Sequence, residues 1–145
     1  MNSDLSLRFL TRADVKPALA LYSELTFGPP CTSDEAVISV LEHPGTEICG
    51  AFEDKTLVAM VTLHLLPNVT WDGRPYGLIE NVVTRGDKRK QGMGRAVMQF
   101  ALDQAWSANA YKVMLLTGQK RGALGFYTSL GFSQEDKHGL VIRRA

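Results

Sequence analysis

The feature that most constrains this chain is a strand-to-helix junction in its second half. Leu78-Ile79-Glu80-Asn81-Val82-Val83 reads as a core strand, Arg89-Lys90-Gln91-Gly92-Met93-Gly94-Arg95 as a glycine-bearing turn, and the residues to about Ala108 as a long helix. Met93, Val97, Phe100 and Ala101 mark one side of that helix and Met98, Leu102 and Trp106 another, so much of its circumference is expected to be buried. Glycines at such a junction allow positive φ and close approach of a ligand. The first N–H groups of the helix have no partner of their own, and such an end binds phosphate.

Around this junction the chain alternates between strand and helix patterns. Residues 5–10 alternate apolar and polar as a strand, and Thr11 opens a helix through Val15, Leu19, Tyr22 and Leu25 that Gly28-Pro29-Pro30 stops. Thr32 or Ser33, followed by Asp34-Glu35, starts a second helix ended by Pro44-Gly45. From Glu47 the period becomes two: residues 48–53 and 56–65 form a hairpin about Glu53-Asp54-Lys55, and the turn Trp71-Asp72-Gly73-Arg74 leads into a strand over 76–84. Beyond the long helix come a strand over 113–116, a helix over 121–130 stopped by Gly131, and one or two closing strands that include Leu140-Val141-Ile142.

The expectation is a single α/β domain, residues 1–145, with a mixed central sheet of roughly six or seven strands and about four flanking helices. At 145 residues and 45% apolar the chain buries enough surface to need no disulfide or structural metal. An apolar final strand at a sheet edge is expected to pair with a second subunit, which gives a homodimer.

Sixteen basic residues against 15 acidic ones leave a net charge of +1, which argues against a nucleic-acid partner or a membrane surface. No apolar run approaches the roughly 20 residues that cross a bilayer, and Met1-Asn2-Ser3-Asp4 lacks a signal-peptide pattern, so a cytoplasmic protein is expected. Cys31 and Cys49 make no disulfide framework, and His43, His64 and His138 are scattered without metal-ligand spacing, so no metal is expected. Positive charge is local instead: Arg85, Lys88, Arg89, Lys90 and Arg95 surround the start of the long helix, where the macrodipole disfavours cations. A bound anion accounts for that placement. The turn has no Gly-Lys-Ser/Thr and no complete Gly-x-Gly-x-x-Gly, which excludes a P-loop and a dinucleotide fingerprint.

Arg89-x-x-Gly92-x-Gly94 after Glu80-Asn81-Val82-Val83, followed by Phe126-Tyr127-x-x-x-Gly131-Phe132, resembles the GNAT family of N-acetyltransferases. The resemblance implies transfer of an acetyl group from acetyl-coenzyme A to a primary amine. It also implies that the strand backbone at Val82 and Val83 bonds the pantetheine arm, and that the amides of Arg89, Lys90, Gln91, Gly92, Met93, Gly94 and Arg95 cradle the pyrophosphate. Tyr127 matches the family's proton donor to the departing thiolate, and a phenol with an ordinary pKa near ~10 stays protonated at neutral pH. Glu80, placed on one strand face with Val82 by the period of two, is expected to orient the amine or take its proton. The N–H of Val82 or Val83 is expected to polarise the carbonyl.

Lys120 stands where the family often has an asparagine, while Ala123 matches. Within the family, Ile79-Glu80-Asn81-Val82-Val83 and the end of the chain look most like the glucosamine 6-phosphate N-acetyltransferase branch, although that branch usually has Asp at the position of Asn81. The acceptor is expected to be a small-molecule amine, in a pocket formed by 26–34 and 66–76 with Phe27, Pro29, Pro30, Trp71 and Tyr76. A non-catalytic acyl-coenzyme A binding domain is the alternative, and the presence of both Glu80 and Tyr127 favours the enzyme.

Overall fold

The computed structural model describes residues 4–25, 28–119 and 122–144. They fall into two compact units, one within 1–114 and one within 115–145. The first contains β1 (Leu5–Phe9), a 3-10 turn at Arg12–Asp14, α1 (Val15–Tyr22), α2 (Asp34–Leu41), β2 (Thr46–Glu53), β3 (Thr56–Leu66), β4 (Tyr76–Thr84), α3 (Met93–Ser107) and β5 (Val113–Met114). The second contains α4 (Leu124–Ser129).

The strands form one mixed sheet in the order β1-β2-β3-β4-β5, antiparallel except for the parallel pair β4 and β5. It has five strands, not six or seven. The difference lies at the carboxyl end, where β5 stops after two residues and the expected closing strand is absent from the described residues. A strand exists only where a neighbour takes its N–H and C=O groups. Leu140, Val141 and Ile142 have no such neighbour and stand 91%, 62% and 98% exposed. The last helix is also shorter than the expected span from 121 to 130: Gly122 sits at φ 73, a left-handed conformation that starts α4 late, and Gly131 at φ 103 ends it as expected.

Ile48, Phe52 and Met60 from the sheet join Leu10, Val15, Ala18, Leu21 and Val37 in one core cluster under α1 and α2. The alternate residues Cys49, Ala51, Val61 and Leu63 are equally buried, and α3 packs on β2, β3 and β4 with Val97, Met98, Ala101 and Ala105 inside. A sheet covered on both faces explains why its inner strands read as nearly continuous apolar runs. Trp106 lies outside this packing at 49% exposure, against the expectation from helical spacing. Burial pushes the Cys49 thiol up to about 12, and both cysteines are free. Among the described residues no helix is long and apolar enough to cross a membrane.

Local caps fix the helix starts. Ser33, the nearer of the two candidates, accepts the Ala36 N–H at 3.2 Å, with Asp34 and Glu35 in the first turn. Asp14 does more, because its buried carboxylate accepts from Arg8 Nη1 and Nη2 at 2.8 and 3.0 Å and from the Thr11 N–H at 2.7 Å. The Arg8 guanidinium also lies over the Phe52 ring at 4.0 Å, so it ties β1, β2 and the entry to α1 together. Two histidines far apart in sequence meet on Thr46, whose hydroxyl lies 3.0 Å from His43 Nδ1 and 2.9 Å from His64 Nδ1.

The Arg8 hydrogen bond, helped by the Thr11 N–H, holds the Asp14 carboxyl below its ordinary value. A lowered folded-state pKa means stability that is present above the unfolded value near ~4 and lost as pH falls through the folded one. Asp14→Asn should therefore lower the unfolding free energy at pH 7 by about 2 kcal/mol, and the stability gap between wild type and variant should narrow below about pH 4. Urea titrations at several pH values measure both.

Candidate active site

β4 carries an irregularity at the residues singled out by sequence. Thr62 pairs with Glu80 and Met60 with Val83, so two residues of β4, Asn81 and Val82, stand opposite the single Val61 of β3. This is a β-bulge. Asn81 takes the left-handed conformation, φ 53, which Asn tolerates better than most side chains. The bulge breaks the period of two. Met60 and Thr62 share a face of β3, so their partners Val83 and Glu80 share the corresponding face of β4, and the expected Glu80–Val82 face is corrected to Glu80–Val83. Glu80 is exposed and, among the described residues, has no hydrogen-bond or ion-pair partner.

On its other side β4 loses its neighbour. The parallel pairing with β5 covers only Gly77 and Leu78, so residues 79–84 of β4 have no strand beside them on that edge. A strand edge of this kind offers main-chain donors and acceptors to an extended ligand.

The turn after β4 runs through a 3-10 turn, Gly86–Lys88, to the cap of α3. Gly92 is that cap, at φ 85, and an added Cβ would meet nothing within 4 Å. Glycine is required here by conformation, and the space beside it is open. Lys90 is also left-handed, at φ 63. The first turn of α3 contains no acidic residue, so no carboxylate there offsets the positive end of this 15-residue helix. The local basic charge is smaller than the sequence suggests, because Arg85 pairs with Asp87 at 2.6 Å and Lys88 pairs with Glu53. The Asp87 hydrogen bond raises the Arg85 pKa and lowers that of Asp87. Arg89 Nε donates to the Thr84 carbonyl at 3.3 Å.

Asn81 also lines a cavity of about 240 Å³, with Tyr22, Leu25, Pro29, Pro30, Cys31, Ala36, Val37 and Val40. Burial holds the Tyr22 phenol above its ordinary pKa although its hydrogen bond with Thr62 works the other way, so this wall stays neutral. Of the residues expected around the acceptor, Pro29 and Pro30 line this cavity, and Phe27 lies outside the described residues. Trp71 and Tyr76 do not line the cavity. The Trp71 indole stacks on Tyr111 at 5.0 Å, and Lys112 Nζ sits 5.4 Å from the Tyr76 ring.

In the second unit Tyr127 is buried in α4, 5.2 Å from the Phe126 ring and 6.2 Å from that of Phe132. The Phe132 N–H closes on the Tyr127 carbonyl at 3.2 Å. Among the described residues one buried side-chain oxygen lacks a partner, Thr117 Oγ1.

The model of the acetyltransferase (GNAT) family matches residues 18–132. The chain belongs to the GNAT family. A glucosamine 6-phosphate N-acetyltransferase from Trypanosoma brucei brucei is 31% identical over 138 residues, 92% of each chain. A solved structure from Agrobacterium tumefaciens, described as an acetyltransferase, is 42% identical and superposes with a TM-score of 0.89 over 96% of this chain and 99% of its own. A Trypanosoma brucei acetyltransferase structure follows at 29% identity and a TM-score of 0.82, covering 98% and 99%. The protein is thus an acetyltransferase with the α/β GNAT fold, and its family uses acetyl-coenzyme A.

In this GNAT chain the residues that sequence reasoning brought together on β4 and its turn, Glu80, Val82, Val83 and Arg89 to Arg95, all belong to the first unit, and Tyr127 belongs to the second. Asn81 went unassigned. Its signal was present as a polar residue next to another inside a core-like strand, the pattern of a bulge. Because φ 53 strains most side chains, Asn81→Gly should keep the unfolding midpoint, whereas Asn81→Val should cost about 1–2 kcal/mol in chemical denaturation although the residue is exposed.

Proposed function

We propose that this GNAT enzyme transfers the acetyl group of acetyl-coenzyme A to a primary amine of a small molecule by direct attack. The observation that carries the reading is the continuity of one backbone path: a bulged strand, open on one edge from Ile79 onward, runs into a turn whose left-handed Gly92 caps α3. A pantetheine arm fits the open edge at Val82 and Val83, and phosphates fit the amides of Arg89 to Arg95, with the open space at Gly92 supporting close approach. Bound acetyl-coenzyme A supplies the activated acetyl thioester.

The chain's own residues supply the rest. A main-chain N–H at Val82 or Val83, one of them freed from the ladder by the bulge, polarises the thioester carbonyl. Glu80, exposed beside the cavity residue Asn81, attracts the ammonium form of the acceptor and orients the amine or takes its proton. Tyr127 donates the proton that the departing thiolate needs. The acceptor occupies the cavity under α1 and α2. An amino-sugar phosphate is the acceptor favoured by the likeness to the Trypanosoma brucei brucei protein.

Calorimetric titration with acetyl-coenzyme A, with ATP and NAD as controls, tests the cofactor, and thiol release on screening amines, glucosamine 6-phosphate among them, tests the acceptor. Selective micromolar binding is expected, and a folded sample that ignores acetyl-coenzyme A overturns the reading. Tyr127→Phe should lower kcat at least about tenfold and leave the Kd for acetyl-coenzyme A unchanged; undiminished turnover would move the proton donor elsewhere. Gly92→Asp adds bulk, strain and negative charge at the turn and should weaken acetyl-coenzyme A by about tenfold or more in the same titration.

A further inference from the structure

The turn that carries the proposed phosphate site is held from outside itself. Glu24, just past the end of α1, meets the Gly86 N–H with both carboxylate oxygens, each at 3.0 Å. Lys88 is paired with Glu53 at the end of β2, and Arg85 beside them feels Asp87, Glu53 and Glu24 together. A carboxylate near a site for phosphates opposes their binding by charge alone. Arg85 and Lys88 are already paired with Asp87 and Glu53, so the place of Glu24 is explained by direction: its oxygens face a main-chain donor, a charge-assisted bond stronger than a neutral one. The fit is close, since a Cβ at Gly86 would come within 3.3 Å of Glu24 Oε1.

We propose that Glu24 is a positioning residue for acetyl-coenzyme A. By fixing the Gly86 amide it sets the path of the turn, so the main-chain groups of 89–95 are arranged before the cofactor arrives. Without that bond the turn must be ordered at the moment of binding, and the ordering cost appears as lost affinity. The inference rests on the cofactor reading above, and it assigns Glu24 no contact with the reacting atoms.

The bond can be removed from either end. Glu24→Ala deletes the acceptor, and Glu24→Gln keeps a neutral one. Gly86→Pro removes the N–H but sets the ring Cδ against the Glu24 oxygens, so it is made on the Glu24→Ala background, where that space is free; there proline suits the backbone, since Gly86 opens the 3-10 turn and Arg85 before it has φ −55 and ψ 137. Glu24→Ala should raise both Kd and KM for acetyl-coenzyme A about tenfold with kcat within about twofold. Glu24→Gln should recover most of the loss, and the double variant Glu24→Ala/Gly86→Pro should be no weaker than Glu24→Ala. Unchanged affinity in Glu24→Ala, or losses that add in the double variant, would overturn the proposal while wild-type binding stands. A wild type that fails to bind acetyl-coenzyme A overturns the cofactor reading and this inference together. Should Glu24→Ala fail to fold, Glu24→Asp, which keeps the charge but falls short of the amide by one methylene, decides by the same split between KM and kcat.

Discussion

Every main-chain N–H and C=O of a sheet needs a partner, and in this protein that obligation is left open along one stretch of β4. β3 pairs with β4 along most of its length, whereas β5 is hydrogen-bonded only at Gly77 and Leu78. The core under α1 and α2 and the packing of α3 hold β4 in place on both faces, so the strand stays extended although one of its edges is unspent. The unspent edge leads directly into the turn before α3. Strand, turn and helix end therefore follow one another along one backbone path, the path on which we place the cofactor.

The supports of that row lie elsewhere in the sequence. Asp14 and Arg8 set the entry to α1, and the chain just after α1 brings Glu24 to the turn and Leu25 to the cavity wall. One short segment thus reaches the turn through its acid and the cavity through its apolar neighbour. Among the described residues the cavity has no charged lining side chain, and the exposed Glu80 stands next in sequence to Asn81 at its wall.

Much of this was legible before the fold was seen, for physical reasons. The helix starts at Ser33 and Gly92 are written in short-range chemistry, a hydroxyl at one and a residue free to take positive φ at the other. The hairpin of β2 and β3 follows from period two and the charged turn between them. What was not legible depended on distant partners. Leu140-Val141-Ile142 has strand composition and no strand beside it, Trp106 has helical spacing and no cover, and part of the basic cluster is neutralised by Glu53, which comes from another element. The face of Glu80 was misjudged because alternation assumes an uninterrupted ladder, and a single extra residue interrupts this one.

That extra residue behaves like an inserted letter in a two-letter reading frame. Upstream of Asn81 the odd positions of β4, such as Ile79, point into the protein, and downstream Val83 is again buried, yet it lies on the other face of the sheet. Removing Asn81 would leave strand length nearly unchanged and turn every residue between the bulge and the turn to the opposite face of the sheet. Any change of one residue within β4 would have to be matched by a second, or the strand would deliver its turn to the wrong side.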